Sequence, residues 1–235
     1  LKILGLKEFE QAFDEFEKNG WGVHYDCHFK AEKRHNDFNL QIRAQVLAED
    51  IGFTCMIFKD YYLESINEIL KNGINVPRKI PMCQLKAANV LKHIFFSIRA
   101  YHDALYKVLL RIFDQKINAG SSMKRTIEEE TEDFKTGNPV GRFLKDSFPE
   151  YAKWFLEFRE WRNEIKNGQG VNFSVSQDFI DQKIEMRVGM VNRLNNKRID
   201  VGLGTLENAL NVSLELTRLV IALGIKEQLF TSVKT

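Results

Sequence analysis

The stretch NDFNLQIRAQVLAEDIGFTCMIFKDYYLESINEILK, residues 36–71, decides the fold. Its apolar residues return every three to four positions, the period of a helix and not the strict alternation of a strand. Leu40, Leu47, Ile51, Thr54, Phe58 and Tyr61 mark the expected buried face, joined by Val46, Ile57, Ile66, Ile69 and Leu70. Asn72-Gly73 supplies the closing signal. A helix of about ten turns cannot bury such a face alone, so it predicts an all-α, up-and-down helical bundle.

The flanking segments extend this reading. Upstream, Phe9, Phe13 and Phe16 share one face of a helix that Asn19-Gly20 ends. WGVHYDCHFKA (residues 21–31) alternates like a strand, with a distorted helix as the alternative because charged residues follow at once. Downstream, the two prolines of INVPRKIPMC (residues 74–83) predict an extended linker. A second long helix is expected from about Leu85 to Lys116, with His102 inside its apolar stripe. The polar segment at 118–139 reads as a mobile connection, with a helical turn as the other reading, around the solvated acidic loop EEETED. Short and longer helices follow at Val140–Asp146 and from Pro149 to Asn167. VNFSVS and KIEMRVGMVN predict a small β-hairpin before the last helix. NNKRIDVGLG reads as a turn, and Thr205 as the cap of a final helix from Leu206 to about Leu223. The expected organisation is an N-terminal helical region, residues 1–75, packed on a helical domain at 76–235.

Composition narrows the function. An apolar fraction of 44% with 18 phenylalanines is enough for a core and excludes a disordered chain. A formal net charge of +2 carries no electrostatic signature of a nucleic-acid binder. Cys27, Cys55 and Cys83 form no CxxC pair and no disulfide framework, so a reducing cytoplasm is the expected compartment. No apolar run reaches the length of a membrane span, and LKILGLKEFEQAF lacks the marks of a signal peptide. GxSxG, HExxH and phosphate-loop motifs do not occur, and no cofactor is expected. His24, Asp26 and His28 alternate, which suits a metal set or an ordinary polar strand edge; no metal is expected there. Arg187, Arg193, Lys197 and Arg198 make the β-rich segment basic, read first as solvated charge.

The aromatic helix carries the sharpest signal. Tyr151, Trp154, Phe155, Phe158, Trp161 and Ile165 fall on one side, and Arg162 points between Tyr151 and Phe155. A guanidinium stranded without a partner in a dry core costs about 3–5 kcal/mol. Arg162 therefore needs an aromatic face, an acid, carbonyls or a ligand phosphate. On the preceding long helix, RAYHD sets Arg99 four residues before Asp103, one turn away, with His102 between them. A core histidine beside an intrahelical ion pair is one reading. A base or acid approaching Arg162 is the other.

EFREWRNEIKNGQG, with PEYAKWF before it and SIRAYHDALYKVLLRIF upstream, resembles the signature of the HEPN superfamily over roughly residues 85–225. Arg162-Asn163 match the motif's first part. Its histidine is expected at about position 167, where this chain has Asn167. The resemblance implies a homodimer that cleaves RNA without metal, as in bacterial defence or toxin–antitoxin systems, with an antitoxin-like protein as a further partner. In that scheme the arginine holds the scissile phosphate and the histidine helps move the 2′-OH proton. Asn167 cannot titrate near neutral pH. Loss of a general acid or base costs about 10²- to 10⁴-fold in rate. The expectation is thus RNA association with nuclease activity weak or lost. Arg162, Asn163 and Asn167 would touch phosphate, supported by Arg99, His102 and Asp103. The alternative is a non-catalytic helical dimerisation or protein-interaction module.

Overall fold

The structure, a computed structural model, describes residues 2–19, 27–29, 35–72, 82–118, 120–167, 170–178, 182–192 and 197–232. The chain is mostly helical, a bundle with a β-hairpin ahead of the last helix. Among the described residues the helices are α1 (Leu6–Asn19), α2 (His35–Asn72), α3 (Met82–Ile112), α4 (Pro139–Ser147), α5 (Tyr151–Asn167) and α6 (Leu203–Lys226). Two compact units form, each assembled from three stretches of chain. The first takes Leu1–Asp14, Ile51–Phe96 and Glu160–Leu210; the second takes Glu15–Asp50, Ser97–Arg159 and Asn211–Thr235. The boundary expected at 75/76 falls among residues outside the described set.

The first unit contains the sheet. β1 (Lys2–Ile3) pairs in parallel with β6 (Lys183–Asn192). The hairpin partner β5 (Gly170–Asp178) runs antiparallel along the other edge of β6. β7 (Lys197–Val201) also pairs antiparallel with β6, from Val188 to Asn192. The described part of NNKRIDVGLG, from Lys197 on, is thus not a turn. Lys197–Val201 is a strand, and its valine and isoleucine are buried as the pleat requires. The last helix also starts earlier than expected, at Leu203, which leaves Thr205 in its first turn with its N–H donating to the Gly202 carbonyl at 3.2 Å.

β1 and β7 leave a gap along the same edge of β6, around Met186. The Tyr62 hydroxyl of α2 fills it. It donates to the Met186 carbonyl at 3.0 Å and accepts from the Met186 N–H at 3.1 Å. Burial pushes the Tyr62 phenol up to about 12, so it remains a donor throughout the stable pH range. Tyr62→Phe strips both partners from a buried peptide, and a loss of about 1–3 kcal/mol is expected. Urea unfolding measures it; a midpoint equal to that of the parent would show that the hydroxyl carries no such load.

In α2 the buried stripe matches the expected one only in part, at Ile51, Thr54, Phe58 and Ile66. Ala44, Ala48, Ile51, Cys55, Phe58 and Tyr62 are sealed, whereas Val46 is 55% exposed and Leu70 43%. The small residues let neighbouring backbone approach closely, a signal that hydrophobicity alone underweights. The other stripes are as expected. Phe9, Phe13 and Phe16 of α1 are buried, as are Leu91, Phe95, Ile98, His102, Leu105 and Leu109 of α3.

In the second unit the connection at 118–139 is not a plain loop. A 3₁₀ turn, Met123–Thr126, leads into a short antiparallel pair, β3 (Ile127–Glu128) and β4 (Asp133–Phe134). Met123, Thr126, Ile127 and Phe134 are buried, which ties the segment down. The acidic residues between the strands do face solvent, and Glu129 pairs with Lys124 and Arg159. Asn138 caps α4 by accepting from the Val140 N–H at 2.9 Å, with Pro139 in the first turn. α5 begins at Tyr151, two residues past Pro149. Of the alternating segment at 21–31, β2 (Cys27–Phe29) pairs antiparallel with β8 (Phe230–Ser232), and the remainder lies outside the described residues. α6 is long and apolar enough to cross a membrane by length and composition. Its Leu210, Ser213, Leu216, Thr217 and Val220 are buried, the pattern of a core helix.

Candidate functional site

Arg162 lies in the part of α5 that belongs to the first unit. Its aromatic partner is Phe96 of α3, with the guanidinium carbon 4.9 Å from the ring centroid. One Nη donates to Asn163 Oδ1 at 3.1 Å. Arg162 and Asn163 are both half-buried, so the cation is braced on a ring without being sealed from solvent. Such a stack is worth about 0.5–1 kcal/mol at partly exposed sites and sets the plane of the guanidinium. Asn167 is the last residue of α5, and its side chain lies outside the described residues.

The second cluster belongs to the other unit. Arg99 lies over Phe155, 4.4 Å from guanidinium carbon to ring centroid, and forms the expected ion pair with Asp103 one turn on. Asp103 Oδ1 also accepts from the Met123 N–H at 2.9 Å, so this carboxylate anchors the 118–139 segment to α3. His102 between them is 1% exposed. Its Nδ1 is 2.8 Å from the Tyr151 hydroxyl and its Nε2 2.8 Å from Ser213 Oγ. Thr217 continues the buried polar chain, donating to the Ser213 carbonyl at 2.7 Å and lying 2.6 Å from the Tyr101 hydroxyl. Trp154 stands against the imidazole, with ring centroids 5.3 Å apart.

Burial, with a smaller contribution from the Arg99 cation, pushes His102 down to about 3. Burial also holds the Tyr151 phenol well above its ordinary value. His102 is therefore a neutral core residue with both nitrogens in use. It has neither the access nor the basicity that proton transfer to a bound substrate demands.

Sequence reasoning missed one residue at the first cluster. Phe96 supplies the ring under Arg162. Which ring of α3 lies under Arg162 carries no local signal, because it is set by the packing of α3 on α5.

The remaining candidates divide simply. Arg187 is held by Glu185 through a forked contact at 2.8 and 3.2 Å, and that carboxylate raises its affinity for the proton further. The side chains of Arg193, Lys197 and Arg198, and the alternating set His24, Asp26 and His28, lie outside the described residues. Among the described residues no group of His, Cys, Asp and Glu side chains converges as metal ligands would. No family model, no curated protein and no solved structure matches this chain.

Proposed function

We propose that the chain is a HEPN-like, RNA-associated protein that binds RNA through the Arg162 end of α5, with nuclease activity weak or lost. The observation that carries this reading is the ring-braced, half-buried guanidinium of Arg162 beside Asn163. A planar cation held in one orientation is a good receptor for a phosphate oxygen pair. The reading of lost cleavage is supported by His102, whose sealed ring has both nitrogens hydrogen-bonded and resists protonation. Asn167, at the motif's histidine position, cannot supply one either. A two-fold dimer would set two such helices at one seam.

The test is binding of a labelled single-stranded RNA pool by the full chain and by Arg162→Ala. The variant should bind about tenfold more weakly or worse, with the salt slope reduced by about one contact. Arg162→Lys keeps the charge but loses the fork, and an intermediate affinity is expected. Equal binding by parent and Arg162→Ala ends the proposal. Efficient cleavage of the RNA by the parent would overturn the reading of weak or lost nuclease activity.

The second reading, a dimerisation or protein-interaction module, is favoured by one observation. α2 exposes Ile42, Val46, Phe53 and Met56 at 39, 55, 59 and 44%. Their spacing resembles a heptad seam. Sedimentation of a dimer that Phe53→Glu dissolves, together with no RNA binding by the parent, would favour this reading over the first.

A further inference from the structure

A cavity of about 260 Å³ opens in the second unit between α2, α3 and the segment that follows α3. Arg43 comes from α2, Asp103 and Lys107 from α3, and Ser121 and Ser122 from the connecting segment. Of its lining the RNA reading uses only Asp103, as a supporting residue.

Its chemistry is one-sided. Asp103, the carboxylate in the wall, is already committed to Arg99 and to the Met123 N–H. Arg43 and Lys107 have no carboxylate partner among the described residues. Ser121 Oγ accepts from the Asn118 N–H at 2.9 Å, which leaves its proton to be donated elsewhere. Ser122 precedes the 3₁₀ turn without using its hydroxyl as a cap. Two cations and two hydroxyl donors thus face a polar space whose acid is spent. Guanidinium, ammonium and hydroxyl donors together suit an oxyanion with several acceptor oxygens.

Size narrows the class. Pockets for drug-sized ligands hold about 300–1,000 Å³, so this one takes a compact anionic group and little more. We propose that the cavity binds the phosphate of a small phosphomonoester, with the organic part directed to its open mouth. Arg43 and Lys107 balance the charge, and the Ser121 and Ser122 hydroxyls donate to the remaining oxygens. Arg162 is not among the residues that line it.

Titration calorimetry on the full chain tests this with inorganic phosphate, ribose 5-phosphate and unphosphorylated ribose. Both phosphate probes should bind and ribose should not. Tighter binding of ribose 5-phosphate would assign the site to a monoester, and equal or weaker binding than free phosphate would overturn that part of the proposal. Arg43→Gln with Lys107→Gln should weaken binding by about tenfold or more. Lys18→Gln with Lys71→Gln removes the same charge from exposed positions elsewhere and should change it by less than about twofold. Ser122→Ala, which removes no charge or packing anchor, should weaken binding by about threefold and guards against a double variant that fails to fold. Absence of phosphate binding by the parent at millimolar concentration overturns the proposal. So does equal binding by the parent and the Arg43/Lys107 variant. Displacement of bound phosphate by an RNA without terminal phosphates would give the cavity to a nucleic-acid backbone and overturn the small-molecule assignment.

Discussion

Acidification is expected to destabilise the protein by roughly 3 kcal/mol at about pH 4.5 through His102 alone, and by about 5 kcal/mol below about pH 3. The sign follows from the two states. The unfolded chain protonates this imidazole near its ordinary value of 6.5, whereas the folded protein resists until about 3. Between those values the unfolded state holds more protons, so stability falls as pH falls. Above about pH 6.5 the histidine is neutral in both states and has no such effect. The cause is local and structural. The ring is enclosed by Tyr151, Trp154 and Tyr101, its nitrogens face hydroxyls, and the charged group that bears on it is the Arg99 cation. A typical domain has only about 5–15 kcal/mol in total, so this one residue can account for much of an acid transition.

His102→Gln isolates the effect. Glutamine retains a donor and an acceptor for Tyr151 and Ser213 but cannot titrate. At neutral pH the variant should lose about 1–3 kcal/mol through imperfect hydrogen bonding. On urea unfolding at a series of pH values its curve should be flatter than the parent's between about pH 6.5 and pH 4. Parallel curves for the two proteins would mean that the acid sensitivity arises elsewhere, for example at Glu129 or Asp133. Their lysine partners hold both carboxyls below the ordinary range, so these pairs too are lost on acidification.

Gly141→Ala should destabilise by roughly 3 kcal/mol, the reverse of the usual gain from alanine in a helix interior. A Cβ at this position of α4 would lie 2.4 Å from the Lys135 carbonyl oxygen and 3.4 Å from that of Thr126. Both oxygens are backbone and both are engaged. The Lys135 carbonyl accepts from the Asn138 N–H at 3.1 Å, and the Thr126 carbonyl from the Lys135 N–H at 2.7 Å. No rotamer change relieves such a clash, so either α4 or the β4 segment must move. Gly204→Ala is the matched control, since nothing lies within 4 Å of its added Cβ in the first turn of α6. There a gain of up to about 1 kcal/mol is expected. Chemical unfolding of both variants reads the comparison, and a stabilised Gly141→Ala would show that the close approach of α4 is not held as described.

Much of the architecture was legible because burial repeats at the helical period. The phenylalanines of α1 and the long stripe of α3, with His102 in it, lie where their spacing put them. The Arg99–Asp103 pair was equally legible, being local to one turn. The face of α2 was legible only in part, through Ile51, Thr54, Phe58 and Ile66. Ala44, Ala48 and Cys55 carry its contact, and small residues weigh little in any hydrophobic count. The strand Lys197–Val201 was hidden among turn-forming letters, because a strand on a sheet edge is defined by its neighbour more than by its own composition.

The candidate site divides along the same line. That an arginine sits on the aromatic side of α5 was evident from the wheel. That Phe96 lies beneath it required α3 to pack beside α5.

The sequence by itself determined which segments are helices, where the hairpin falls and which arginine needs a special partner, because these follow from periods and caps a few residues long. Only the tertiary structure decided that His102 is locked between Tyr151 and Ser213, that Tyr62 completes an edge of β6, and that Arg43, Lys107 and two serines share one cavity. Hydrogen-bond partners and pocket walls come from segments far apart in the chain, and no local pattern encodes which distant group will arrive.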